Sequence, residues 1–142
     1  MIGIDTSFLI ALVVAEHEYH QHANAMLREA VGRAEDMALT PAVVAEFLHA
    51  VTDPRRFSNP LTMTDALADA RFWWSAQQVR RVLTTPRAME LCFEWMTLHQ
   101  LGRKRILDTM LAATLHAADV RRLFTLNPTD FRVFSVFELL AP

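Results

Sequence analysis

Residues 1–12, MIGIDTSFLIAL, end a short apolar run on a single carboxylate, Asp5, and follow it with two hydroxyl residues and a second apolar run. MIGID reads as a buried strand, Met1 to Asp5, in which side chains are apolar on both faces, as in a parallel sheet. Thr6 and Ser7 then offer hydroxyls to cap a helix that starts near Phe8. In an open parallel sheet, ligands gather outside the carboxyl ends of the strands, and Asp5 lies at such an end.

Working outward, the same alternation continues. Glu18 to Gly32 reads as a helix and Met37 to Leu39 as a short buried strand. Thr40-Pro41 supplies an N-cap and a first-turn proline for a helix over Ala42 to Thr52, which Asp53-Pro54 stops. Arg55 to Leu61 is a loop, and Thr62 followed by Asp65 forms a capping-box signal for a helix carrying Trp73 and Trp74. Val79 to Leu83 is a short strand. Thr85-Pro86 repeats the cap and proline before a helix that ends near Gly102. Ile106 to Ala118 is a helix with Leu111, Ala112 and Leu115 on one stripe, followed by strands over Leu123 to Leu126 and Val133 to Phe137. The pattern is α/β: helices around a central, mostly parallel sheet of four or five strands, in one domain over residues 1–142.

Three acids break otherwise apolar segments: Asp5, Glu46 in the third helix, and Asp108, which shares the stripe of Leu111, Ala112 and Leu115. Two carboxylates about 5 Å apart repel by roughly 3 kcal/mol at an effective dielectric near 20, so something positive must offset three of them. A hard divalent cation such as Mg²⁺ takes oxygen ligands and commonly accompanies a phosphate substrate.

Composition narrows the rest. Hydrophobic residues make up 52% and charged residues 21%, which suits a folded domain rather than a disordered chain. A net charge of −2 argues against a protein that coats nucleic acid through general basicity. Arg80-Arg81 and Arg121-Arg122 read as solvated surface, whereas Arg103-Lys104-Arg105, just before Asp108, and Arg55-Arg56 are candidate contacts to RNA phosphates. One cysteine, Cys92, excludes an internal disulfide and a cysteine-based zinc site, and it reads as a buried helix filler. The chain shows no leader-like segment and no run long enough to span a membrane, so a cytoplasmic location is expected. His17, His20 and His22 share no helical register and read as a solvated helix end, while His49 and His116 lie near the acids and are weaker substrate candidates.

Three segments together carry a family likeness: MIGIDTSFLIAL with the first acid, LTPAVVAEFLHAVTDP with the second, and RILDTMLAATLHAADVRRLFTLNPTDF with the third acid and a closing motif. Across its whole length the chain resembles PIN-domain ribonucleases, in particular VapC-type toxins of bacterial toxin–antitoxin modules. That resemblance implies a PIN-like three-layer sandwich and an Mg²⁺- or Mn²⁺-dependent endoribonuclease leaving 5′-phosphate products. It matches Asp5, Glu46 and Asp108 to the family's catalytic and metal-binding acids. It also implies a homodimer and a cognate antitoxin, with Phe57, Trp73 and Trp74 as contact candidates. The family often carries an acid where this chain has Asn127, so either Asn127 or Asp130 takes the fourth position, with Thr6 in support.

Other acidic-pocket folds fit less well. A response-regulator receiver needs an acidic pair at its first strand and a late lysine, whereas Asp5 is followed by Thr6 and the only lysine is Lys104. A haloacid-type phosphatase needs a second aspartate where Ser7 stands. A PIN-fold scaffold acting through protein binding is the remaining alternative, left open by Asn127.

Overall fold

A computed structural model describes all of residues 1–142. In chain order the elements are β1 (Ile2–Ile4), α1 (Thr6–Val13), α2 (His20–Gly32), β2 (Met37–Leu39), α3 (Pro41–Val51), α4 (Met63–Ser75), β3 (Val79–Arg81), α5 (Pro86–Leu98), α6 (Ile106–Ala117), β4 (Arg122–Phe124), α7 (Pro128–Arg132) and β5 (Glu138–Leu140). A single 3₁₀ turn, Arg103–Arg105, leads into α6.

The five strands form one sheet in the order β3-β2-β1-β4-β5, and every neighbouring pair is parallel. The chain lays β2 and β3 on one side of β1, then returns to lay β4 and β5 on the other. The carboxyl ends of β1 and β4 therefore flank the point where strand order reverses, the crevice where open α/β sheets bind ligands. Short apolar strands suit this layout because helices cover the sheet: Ile2, Ile4, Met37, Leu39 and Leu123 are all fully buried. No helix is long and apolar enough to cross a membrane.

Local signals behave as their chemistry requires. Thr40 Oγ1 accepts from the Val43 N–H at 3.3 Å and Thr85 Oγ1 from the Ala88 N–H at 3.2 Å, each ahead of a first-turn proline. Thr62 Oγ1 accepts from the Asp65 N–H and donates to the Asp65 carboxylate, a reciprocal cap for α4. Cys92 is buried on α5, and burial raises its thiol pKa.

Some boundaries differ from the sequence reading. Helix α1 begins at Thr6, and Asp5 itself is its N-cap. Helix α2 starts at His20 because residues before it form turns closed by His17 N to Val14 O and His20 N to His17 O. Helix α5 stops at Leu98, where Gln100 takes a left-handed φ of 50° and ends the run before Gly102. The last strand is Glu138–Leu140 rather than Val133–Phe137. Pro128 opens α7 instead, Phe131 and Phe134 turn into the core, Phe134 stacks on Trp95 at 5.0 Å, and Ser135 turns the chain with φ of 53°. Trp73 and Trp74 are both half-buried against the core, and the exposed aromatic of α4 is Phe72, 68% accessible.

Several arginines outside the crevice are tied to acids. Arg122 bridges Glu35 and Glu138, Arg80 meets Asp36 at 2.8 Å, and Arg121 meets Asp119 at 2.9 Å. Arg81 lies over the Trp74 ring at 6.0 Å.

Gly3 sits in the central strand where a side chain has no room: an added Cβ would stand 2.6 Å from Leu115 Cδ1 and 3.1 Å from Leu123 Cδ1. Gly3→Val forces α6 away from the sheet and should lower stability by about 1–3 kcal/mol, measured by urea denaturation.

Candidate active site

Asp5 is only 6% exposed, yet no basic group meets it. Hydrogen bonds hold it instead. Oδ1 accepts from the Thr6 N–H at 2.7 Å, while Oδ2 accepts from Ser7 Oγ at 2.6 Å and from Thr125 Oγ1 at 2.8 Å. The two hydroxyls extend the clamp, since Ser7 Oγ accepts from the Leu126 N–H and Thr125 Oγ1 from the Asn127 N–H, both at 3.0 Å. Burial raises the pKa of Asp5 above the ordinary carboxylate value, the hydrogen bonds partly offset that, and Glu46 adds repulsion in the same direction as burial.

Glu46 lies on an exposed position of α3, where its Oε2 accepts from Thr6 Oγ1 at 2.7 Å. Thr6 thus joins the first two acids: its N–H serves Asp5 and its hydroxyl serves Glu46.

Asp108 opens α6, half-buried, with Leu111, Ala112 and Leu115 buried beneath it as the stripe requires. Its pKa is pushed up to about 6, chiefly by burial and then by the charges of Asp5 and Asp130, with Arg105 acting against them. Arg105 Nε donates to Asp108 Oδ2 at 3.2 Å, and its guanidinium also donates to the Asp130 backbone carbonyl and lies 3.9 Å from the Asp130 carboxylate. Of the two residues weighed for the fourth position, Asp130 adds charge to the field at Asp108, whereas Asn127 is exposed and its side chain makes no capping bond to α7.

Asp5, Glu46, Asp108 and Asp130 share one end of the sheet and one electrostatic field. They do not form a ready coordination set, because no group of three or more acidic, histidine or cysteine side chains lies close enough to hold a metal ion. Arg105 draws Asp108 toward Asp130, and Thr6 holds Glu46. The donor chemistry nevertheless fits a hard divalent cation: the donors are all oxygen, and the most buried of them has no positive partner.

The remaining candidates separate cleanly. Arg55 is paired back onto Asp53, by its backbone N–H at 2.9 Å and its guanidinium at 3.2 Å, while Arg56 stays exposed beside the crevice. Arg103 and Lys104 are exposed, whereas Arg105 faces the acids. His20 Nδ1 bonds to the Ala11 carbonyl at 2.8 Å, joining α2 to α1. Ser7 and Thr125 were not singled out from sequence as site residues; the available signal was a hydroxyl two residues beyond Asp5 and another closing β4.

Residues 2–135 match the family model described as PIN domain. The chain belongs to the PIN-domain family. Solved structures of similar shape include VapC20 from Mycobacterium tuberculosis, described as a sarcin-ricin loop cleaving toxin, at TM-score 0.76 and 20% identity with 100% of both chains covered. VapBC2 from Rickettsia felis, solved with a promoter DNA fragment, follows at TM-score 0.73 and 16% identity over 100% of this chain and 99% of that one. VapBC-1 from nontypeable Haemophilus influenzae is similar at TM-score 0.68 and 14% identity over 99% and 98% of the two chains. At such identities the likeness speaks for the fold. No curated protein matches.

The charge on this PIN domain's acids sets a pH dependence in metal-free buffer. The folded pKa of Asp108, about 6 against an ordinary 3.8, means the folded chain holds an extra proton between those values. Stability therefore falls as pH rises from about 4 to about 6, by at most roughly 3 kcal/mol before solvent screening of this partly exposed group. Asp108→Asn should melt higher than the native chain at pH 7.5, and the two should converge near pH 4.

Proposed function

We propose that this PIN-domain chain is a divalent-metal-dependent endoribonuclease and the toxin of a toxin–antitoxin pair. The observation that carries the reading is Asp5: a buried carboxylate without a cation, hydrogen-bonded at the strand-order reversal, whose charge reaches Asp108. Holding several acids at one sheet end is unfavourable unless positive charge offsets them.

Asp5 and Asp108 would supply oxygen ligands for Mg²⁺ or Mn²⁺, and Asp130 would add a further charge. When bound, such an ion polarises a phosphodiester oxygen and makes a coordinated water a better nucleophile. Glu46, whose Oε2 accepts from the Thr6 hydroxyl, would take the proton of the attacking water. Ser7 and Thr125 hold the Asp5 carboxylate through its Oδ2. Arg103 and Lys104, exposed at the entry to α6, are available to RNA phosphates.

The toxin reading is supported by the PIN-domain match and by the VapC20 and VapBC structures of similar shape. It carries with it an RNA substrate, a protein antitoxin, a homodimer and a cytoplasmic setting. A scaffold that acts only through protein binding is favoured by one observation, the pairing of Arg105 with Asp108 and Asp130, which leaves no ready metal set.

Two measurements separate these readings. Millimolar Mg²⁺ or Mn²⁺ should raise the melting temperature of the native chain and not that of Asp108→Asn, through preferential binding to the folded state. RNA cleavage by Asp108→Asn or Glu46→Gln should drop by on the order of a hundredfold or more. A native chain that neither shifts with metal nor cuts RNA is a scaffold.

A further inference from the structure

Beyond Asp5 the crevice continues into a cavity of about 370 Å³, within the range of small-ligand sites. It lies at the same strand-order reversal. One wall carries Ser7, which donates to Asp5, and Asn127, which follows β4. The other carries aromatic rings from separate parts of the chain: His17 and Tyr19 from the turns before α2, with ring centroids 6.0 Å apart, and Phe57 from the loop after α3. Tyr19 is 38% exposed and makes no side-chain cap to α2, so folding leaves its ring without an evident task. Phe57 packs its inner side on the core and lends its remaining surface to the cavity.

Charge decides what kind of group fits. The lining holds one arginine, Arg56, against one glutamate, Glu18, which makes a poor cradle for a phosphate. Aromatic side chains beside an unengaged amide at Asn127 suit a planar, hydrogen-bonding ring. Unpaired RNA bases are held in this way, stacked on aromatic side chains while their edges meet polar groups.

We propose that this cavity seats one unpaired nucleobase of the RNA, beside the bond to be cut, with Tyr19 and Phe57 as its stacking surfaces. The inference rests on the ribonuclease reading and adds a specificity subsite to it. Arg56 then meets the flanking phosphate, and Asn127 reads the base edge.

The test uses the full chain in EDTA, so that no turnover occurs, and a fluorescent single-stranded RNA spanning a mapped cleavage site. A second RNA has a single abasic ribose at one position next to that site, scanned along both sides. Tyr19→Leu and Phe57→Leu should each weaken binding to the intact RNA by about tenfold. Against the abasic RNA the penalty should vanish at one scanned position, because the base that would stack is gone. Tyr19→Phe should restore native affinity. If both leucine variants match the native chain, or if their penalty is the same for every abasic RNA, the subsite is overturned while the nuclease reading stands. A native chain that neither binds nor cuts RNA overturns both.

Discussion

Three hydrogen bonds to the Asp5 carboxylate hold together the place on which the rest of the crevice depends. Thr125 and Asp5 are 120 residues apart, and their contact closes the carboxyl ends of β1 and β4 onto each other. Charge-assisted bonds of this kind contribute about 1.5–3 kcal/mol apiece, against a burial cost of the same order for an ion lacking a counter-charge. The result is a carboxylate that stays where it is put. Ser7 and Thr125 each also accept a backbone N–H from the Leu126–Asn127 segment, so the loop after β4 takes its path from the same acid.

Around that fixed point, charge is managed by proximity rather than by neutrality. Asp5 raises the pKa of Asp108, Asp130 raises it further, and Arg105 alone works against them. The arginine lies among these acids, with its Nε donating to Asp108 and one terminal nitrogen to the Asp130 carbonyl. Its pairing gives the metal-free fold a way to tolerate the acids. Under the proposed function, a divalent ion at Asp108 would have that pairing to displace. Elsewhere Arg80, Arg121 and Arg122 pair with Glu35, Asp36, Asp119 and Glu138 near the amino ends of the strands, while Arg103, Lys104 and Arg56 stay exposed near the crevice.

Legibility followed the range of the interactions. Thr40-Pro41, Thr62 with Asp65, and Thr85-Pro86 are legible as helix starts because cap chemistry needs only four neighbouring residues. Val133 to Phe137 reads as a strand because its branched and aromatic side chains favour one. Phe131 and Phe134 are instead claimed by a cluster with Trp95, and the ladder passes to Glu138–Leu140. The same holds at the site. Asp5, Glu46 and Asp108 stood out as charges in apolar surroundings, but Ser7 and Thr125 look like ordinary hydroxyls until the strands they follow are paired.

The amino-acid order by itself determined the α/β alternation, the helix caps and the burial of the first two strands, because each depends on periodicity or on neighbours within a helical turn. Only the tertiary structure decided the strand order, the clamp on Asp5, the turning of Arg105 onto Asp108 and Asp130, and the meeting of Tyr19, Phe57 and Asn127 around one cavity. Each of these joins residues remote in the chain. No local rule sets which distant side chains share a space; packing of the whole core does.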